Sequence, residues 1–192
     1  MPPPTAPRLS GNTIQPQPIP DGAVKTPRPD FTWGFHKSTV ANALIKRGLP
    51  ESRANRFLEA LQRDQKLYSD PSQHFLQVRF PILVIEGKAY TTGKTLFEAE
   101  NQAAVSGSSM LILRRQLESC HDHVVLGSNV KRDASPLAFS LCTQGPIMEL
   151  WVHHIFADDD ITEYHMNLVA TCHGSLCNEL ERLLLQMDCL ID

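Results

Sequence analysis

Apolar residues along this chain switch between the period of a strand and the period of a helix, and the switches mark out its elements. Asp30-Phe31-Thr32-Trp33-Gly34-Phe35 is a short aromatic and β-branched run that predicts a strand. Ser38 can cap a helix running through Ile45, which Gly48 then stops. Pro50 opens a second helix, in which Ala54, Phe57, Leu58 and Leu61 recur at helical spacing. Phe80 to Ile85 is a compact apolar run rich in Ile and Val, the pattern of a buried strand. Leu96, Ala99, Ala103, Ser106, Met110, Leu113 and Leu117 then advance by threes and fours, which makes one buried face of a long helix. Leu137 to Cys142, Met148 to Phe156 and Ile161 to Val169 predict three strands, with Asp158-Asp159-Asp160 as the turn between the last two. His173 to Leu190 closes the chain as an amphipathic helix. Strands interleaved with helices and ending in a meander predict a mixed sheet in an α/β or α+β domain.

The first 28 residues break this pattern. Nine of the 14 prolines lie at or before position 29, beginning with Pro2-Pro3-Pro4. With so few amide donors and large apolar groups, the stretch has no means to build a ladder or a core. It is expected to be a flexible arm or linker, and a proline-motif ligand is the second reading. Residues 29–192 are then one domain, a length that suffices for a real core. A hydrophobic content of 42% and a charged content of 20% are ordinary for a globular fold. The formal net charge of -3 supplies no global attraction to nucleic acid, so binding of that kind needs a local patch. No apolar stretch approaches the roughly 20 residues that span a bilayer, and no membrane association is expected. Five cysteines, an odd count without framework spacing, point to a reducing intracellular compartment, nucleus or cytoplasm.

The chemistry concentrates where the Phe80 strand ends in Glu86-Gly87-Lys88. Side chains alternate along a strand, so Glu86 and Lys88 point to the same side with no bulk from Gly87 between them. Mg²⁺ binds through one or two carboxylates together with substrate phosphate, and Mn²⁺ accepts the same oxygen donors. Asp30 and Glu86 can supply those oxygens, while the Lys88 ammonium offsets charge that builds on a phosphate. Asp30 lies 56 positions before Glu86, so neighbouring strands must carry the two predicted helices as an insertion. Asp70, in Ser69-Asp70-Pro71, is the rival acid, but it sits in a turn-like context whereas Asp30 opens an apolar strand. The bland alternative is a turn aspartate and an ordinary exposed Glu–Lys pair.

Pro29-Asp30, the strand ending in Glu86-Gly87-Lys88, and a following helix that carries Gln102 resemble the signature of the PD-(D/E)XK nuclease superfamily. The resemblance extends through Arg79-Phe80-Pro81 to Ser106-Gly107-Ser108, Cys142-Thr143-Gln144-Gly145 and Glu149-Leu150-Trp151, which look like a fungal domain of unknown function placed in that superfamily. It implies a restriction-endonuclease-like core with a helical insertion and a C-terminal meander plus helix. It also implies a Mg²⁺- or Mn²⁺-dependent nuclease in which Asp30 and Glu86 hold metal, Lys88 positions the nucleophile and Gln102 supports it. The alternative is a catalytically silent interaction module that keeps the fold. One feature departs from the pattern, because only the proline-rich arm precedes Asp30 where many members carry a further acid on a helix.

Other motifs point elsewhere and fail on spacing. Gly87 and Gly93-Lys94-Thr95 imitate a phosphate-binding loop, but five residues separate the glycines where four are required. Thr95 reads instead as a residue near the start of the long helix. Cys172-His173 with Cys177, and Cys120-His121 with His123, lack the repeated spacing of a zinc site. Ser106-Gly107-Ser108-Ser109 is no nucleophile elbow, and its small residues suggest a close approach of helix to sheet. His153 and His154 must face opposite sides of their strand, so at most one can share the Glu86 side. Lys46, Arg47, Arg53, Arg56 and Arg63 crowd the first two helices, either as a phosphate-facing patch or as solvated faces broken by Glu51, Glu59 and Asp64.

Overall fold

A computed structural model of the chain describes residues 28–70, 77–125, 135–158 and 161–191. The proline-rich arm before residue 28 and the centre of the Asp158–Asp160 turn lie outside the described residues. Strand β1 (Phe31–His36) is followed by α1 (Lys37–Lys46) and α2 (Glu51–Arg63), then by β2 (Val78–Lys88). A short 3-10 turn at Tyr90–Thr92 leads to α3 (Leu96–Val125), and β3 (Ala138–Gln144), β4 (Ile147–Asp158), β5 (Ile161–His173) and α4 (Cys177–Ile191) complete the fold. The strands form one mixed sheet in the order β1-β2-β3-β4-β5. Only β2 and β3 run parallel, because α3 carries the chain back between them; the other pairs are antiparallel. This is an α+β fold with a helical insertion between β1 and β2 and a C-terminal meander plus helix.

α3 and α4 cover opposite faces of the sheet. On the α3 face, Met110 and Leu111 pack with Val84, Ala138 and Ile155, and Ala99 and Ala103 pack with Cys142. On the other face, Leu183 of α4 packs with Leu141, Leu150 and Cys172. The small residues of α3 have a specific cause. A Cβ on Gly107 would stand 2.2 Å from Nδ1 of His153, so only glycine lets the helix settle over that ring. His153 is buried there and shares a hydrogen bond of 2.8 Å with the Ser140 hydroxyl. His154 faces away and stacks on His165 at 5.3 Å.

The β1–β2 ladder is irregular, and its irregularity resides in β2. Pairing passes from Trp33–Leu83 to Gly34–Pro81 and Phe35–Arg79, which leaves Ile82 and Phe80 as extra residues on β2. Phe80 has φ 47 and donates its amide to the Ser69 carbonyl at 2.8 Å. Gly34 accommodates the bulge, because a Cβ there would meet the Pro81 backbone at 2.8 Å. Three local details differ from the sequence expectations. His36, not Ser38, caps α1: its ring accepts the Ser38 amide at 3.3 Å, while the Ser38 hydroxyl is taken up by the same ring. β2 begins at Val78 rather than Phe80, since Val78 and Arg79 still pair with His36 and Phe35. α4 begins at Cys177 rather than His173, because β5 runs on through His173 in register with Ile147.

Candidate functional site

The last three residues of β2 outrun β1, whose final pair is Phe31–Ile85, and this overhang is where the candidate site forms. Asp30 stands immediately before β1, and its carboxylate accepts the amide of Gly87 at 2.7 Å, just beyond the last paired residues. The insertion of α1 and α2 thus leaves β1 and β2 as neighbours, and it brings Asp30 to a residue 57 positions away. Gly87 leaves room for the contact, since a Cβ there would lie 3.5 Å from the Asp30 carboxylate oxygen and 3.2 Å from the Thr143 hydroxyl.

Glu86 and Lys88 point together toward α3, as alternation requires. Lys88 donates to the side-chain oxygen of Gln102, and the Ser106 hydroxyl lies 3.5 Å from the Glu86 carboxylate. The match is one of repeat lengths: two strand residues advance about 6.7 Å and four helical residues about 6 Å, so the pair on β2 meets the pair on α3 in reverse order. Glu86, Lys88 and Gln102 thus stand together on the α3 side, and Asp30 reaches the same end of β2 through the Gly87 amide. Ser106 was legible only as a polar residue at a core-facing helical position, and its contact with Glu86 is a site feature the sequence pattern did not assign.

The electrostatics centre on Glu86, which is only 2% exposed. Burial pushes its carboxyl up to about 7, and the Asp30 charge adds to the rise; Lys88 and the Ser106 hydroxyl act in the opposite sense. One further acid, Glu149, lies along the same sheet row, and a second, Glu100, stands beside it on α3. Glu86 pairs across β2–β3 with Cys142, and Cys142 pairs across β3–β4 with Glu149. Glu149 accepts the Trp151 indole N–H at 3.1 Å, and burial followed by the nearby Glu149 raises the carboxyl of Glu100 on α3. Burial likewise pushes the Cys142 thiol between them up to about 12, which keeps it protonated and inert. Sequence spacing gives no sign of this row, because only strand register creates it.

Asp70, the rival acid, is engaged elsewhere. It is buried in an ion pair with Arg79 at 2.9 Å, and Arg79 sits opposite Phe35 at the far end of the β1–β2 ladder from Asp30. The phosphate-loop imitation also resolves: the segment forms the 3-10 turn, Gly93 is left-handed with φ 68, and the Thr95 amide donates to Glu98 at the start of α3. Cys172 is buried while His173 bonds to Ser175, all five cysteines are free, and among the described residues no group of three or more His, Cys, Asp or Glu is gathered to hold an ion. The cations of α1 and α2, Lys46, Arg47, Arg53, Arg56 and Arg63, are exposed, and Arg63 contacts Asp64 at 3.3 Å. Among the described residues no helix is long and apolar enough to cross a membrane.

Comparison with curated proteins and with solved structures gives no match. A family model spans residues 8–182 and so takes in the whole sheet, the Asp30–Lys88 end and part of the proline-rich arm. The chain belongs to the family described as Domain of unknown function (DUF7924).

Proposed function

We propose that this chain is a metal-dependent phosphodiesterase that cleaves nucleic acid, built on a PD-(D/E)XK nuclease-like core. The observation that carries the reading is the convergence of Asp30, Glu86, Lys88 and Gln102 at the overhanging end of β2. The strand order supports it too. The strand that directly follows Asp30 lies antiparallel to the Glu-x-Lys strand, and a helix bearing the glutamine crosses to a parallel neighbour.

The donor set fits Mg²⁺ or Mn²⁺. Both ions take oxygen ligands, and Mg²⁺ is commonly held by two protein carboxylates with the remaining positions filled by water and phosphate. Asp30 and Glu86 would hold the ion; it would neutralise charge on the scissile phosphate. The buried Glu86, raised by burial and by the Asp30 charge, is a group that a nearby cation returns to its ionised form. Lys88 keeps an ammonium beside the reacting centre, and Gln102 fixes that ammonium through its side-chain oxygen. A catalytically silent interaction module is the second reading. Its specific support is the satisfied state of the site: Asp30 is taken up by the Gly87 amide, Lys88 by Gln102, and burial holds the Glu86 carboxyl well above the usual carboxylate range. Either activity belongs with the free thiols in a reducing compartment, nucleus or cytoplasm.

The test is hydrolysis of single- and double-stranded DNA and RNA with Mg²⁺ or Mn²⁺, comparing wild type with Asp30→Asn and Glu86→Gln. Cleavage by wild type that drops at least about a hundredfold in both variants supports the enzyme. Binding without cleavage under every condition supports the silent module.

A further inference from the structure

Phe31, Trp33 and Phe35 occupy alternate positions of β1 and therefore share one face of the sheet. It is the face opposite Glu86 and Lys88, since Phe31 pairs with Ile85 and Trp33 with Leu83. α4 packs on this face over Leu141, Leu150 and Cys172, but the rings of β1 remain 50%, 46% and 49% exposed. A single half-exposed aromatic residue calls for no account, whereas three in file on an edge strand form a continuous apolar strip.

The strip leads to the candidate site. β1 starts at Phe31, and Asp30 comes directly before it with its carboxylate on the Gly87 amide. No β1 residue pairs with Glu86, Gly87 or Lys88, so among the described residues the Asp30 carboxylate on the Gly87 amide stands at that edge of β2 where the strip ends, and Gly87 presents no side chain there. A chain lying along the rings from Phe35 to Phe31 can pass round this edge to Asp30, Glu86 and Lys88. The exposed Arg28 stands two residues before Asp30 and adds a cation at the same end.

We propose that Phe31, Trp33 and Phe35 form a stacking platform for single-stranded nucleic acid, and that the platform delivers a phosphodiester to the Asp30–Glu86–Lys88 end. The proposal deepens the nuclease reading and rests on it for the fate of the bound strand. Alternate strand residues stand about 6.7 Å apart, near the step of one nucleotide in an extended strand. Stacking tolerates any base, and it offers affinity to a protein whose net charge of -3 gives no general attraction to phosphate. Bases within a duplex are already stacked on one another, so the platform selects single strands. A second copy of the chain fits less well. Edge pairing along β1 would engage its backbone but leave rings that stand perpendicular to the sheet uncovered.

The experiment measures binding of a labelled single-stranded oligonucleotide to the full chain by fluorescence anisotropy, with chelator present so that no cleavage occurs. Trp33→Leu and the double variant Phe31→Leu/Phe35→Leu keep apolar bulk on the strand but remove the ring faces, and thermal melts report whether each remains folded. The expected result is preference for single strand over duplex, with affinity at least about tenfold lower in each variant. Unchanged affinity in folded variants overturns the proposal, as does a wild type that binds no single strand. A wild-type dimer that Trp33→Leu dissociates, in sedimentation without nucleic acid, overturns it in favour of a second copy. Ring-dependent binding by a wild type that cleaves nothing with Mg²⁺ or Mn²⁺ keeps the platform and removes the nuclease. Cleavage with unchanged affinity in the ring variants does the reverse.

Discussion

Burial displaces two groups on the α3 face in opposite senses, so their pH dependences oppose each other. Glu86 rises from 4.5 to about 7, so between those values the folded chain holds a proton that the unfolded chain has lost. Its contribution to stability therefore falls as pH rises through that window. His153 is lowered by burial from 6.5 to about 4, so there the unfolded chain holds the extra proton and stability falls as pH drops. Each displacement corresponds to roughly 3 kcal/mol before solvent screening reduces it, and the two slopes oppose each other from about 4.5 to 6.5. Glu86→Gln removes one of them. Its melting temperature is expected to fall more steeply than that of the wild type on acidification below 6.5, and melts across pH 4 to 8 check this directly. A cation at Asp30 and Glu86 competes with the Glu86 proton, so Mg²⁺ should raise the wild-type melting temperature more at pH 8 than at pH 5 and leave Glu86→Gln unmoved. Lys88 separates chemistry from charge. Arginine keeps the charge but is planar and bulkier than an ammonium. In a nuclease, both Lys88→Arg and Lys88→Ala should lose about a hundredfold or more in turnover with little change in affinity. In a recognition module, Lys88→Arg should bind almost normally and Lys88→Ala more weakly, and assays of affinity and cleavage on the same proteins distinguish the two.

At the scale of elements, helical period located α2 and α3, whereas β2 and β3, buried on both faces, showed as short continuous apolar runs. The long face from Leu96 to Leu117 became α3, and the Ile- and Val-rich run from Phe80 became the centre of β2. Register was not legible. Nothing in the spacing announces that β2 carries two extra residues against β1, or that Glu149 stands one strand beyond Cys142. The two acids Asp30 and Asp70 show the same limit, since each comes beside a proline and only the apolar run after Asp30 tells them apart. Structure divides their work: Asp30 meets the Gly87 amide at the overhang, whereas Asp70 closes a buried pair with Arg79 where α2 returns to β2. Breaking such a pair from one side leaves a buried charge without its counter-charge. Asp70→Asn should therefore cost about 3 kcal/mol in denaturant unfolding while cleavage per folded molecule stays at the wild-type rate. Loss of cleavage without loss of stability would move Asp70 into the site and Asp30 out of it.

Across the whole molecule, charge and apolar surface are distributed in a way that separates two modes of nucleic-acid binding. The exposed cations of α1 and α2 are interleaved with Glu51, Glu59 and Asp64, and Lys37 is bound to Glu59 at 2.5 Å. The β1 strip and the overhang instead combine three half-exposed rings with a small number of cations, Arg28 and Lys88 among them. A strand held mainly by stacking neutralises few phosphates and releases few counterions. With about two phosphates neutralised, the slope of log affinity against log salt for a single strand should be near -1.4. A strand laid across the helical cations would neutralise about five, giving a slope near -3.5. Anisotropy titrations from low to high salt decide between them, and the shallow slope is expected. A steep slope that flattens when Arg53 and Arg56 are replaced by Gln would shift the binding surface from the sheet edge to α2.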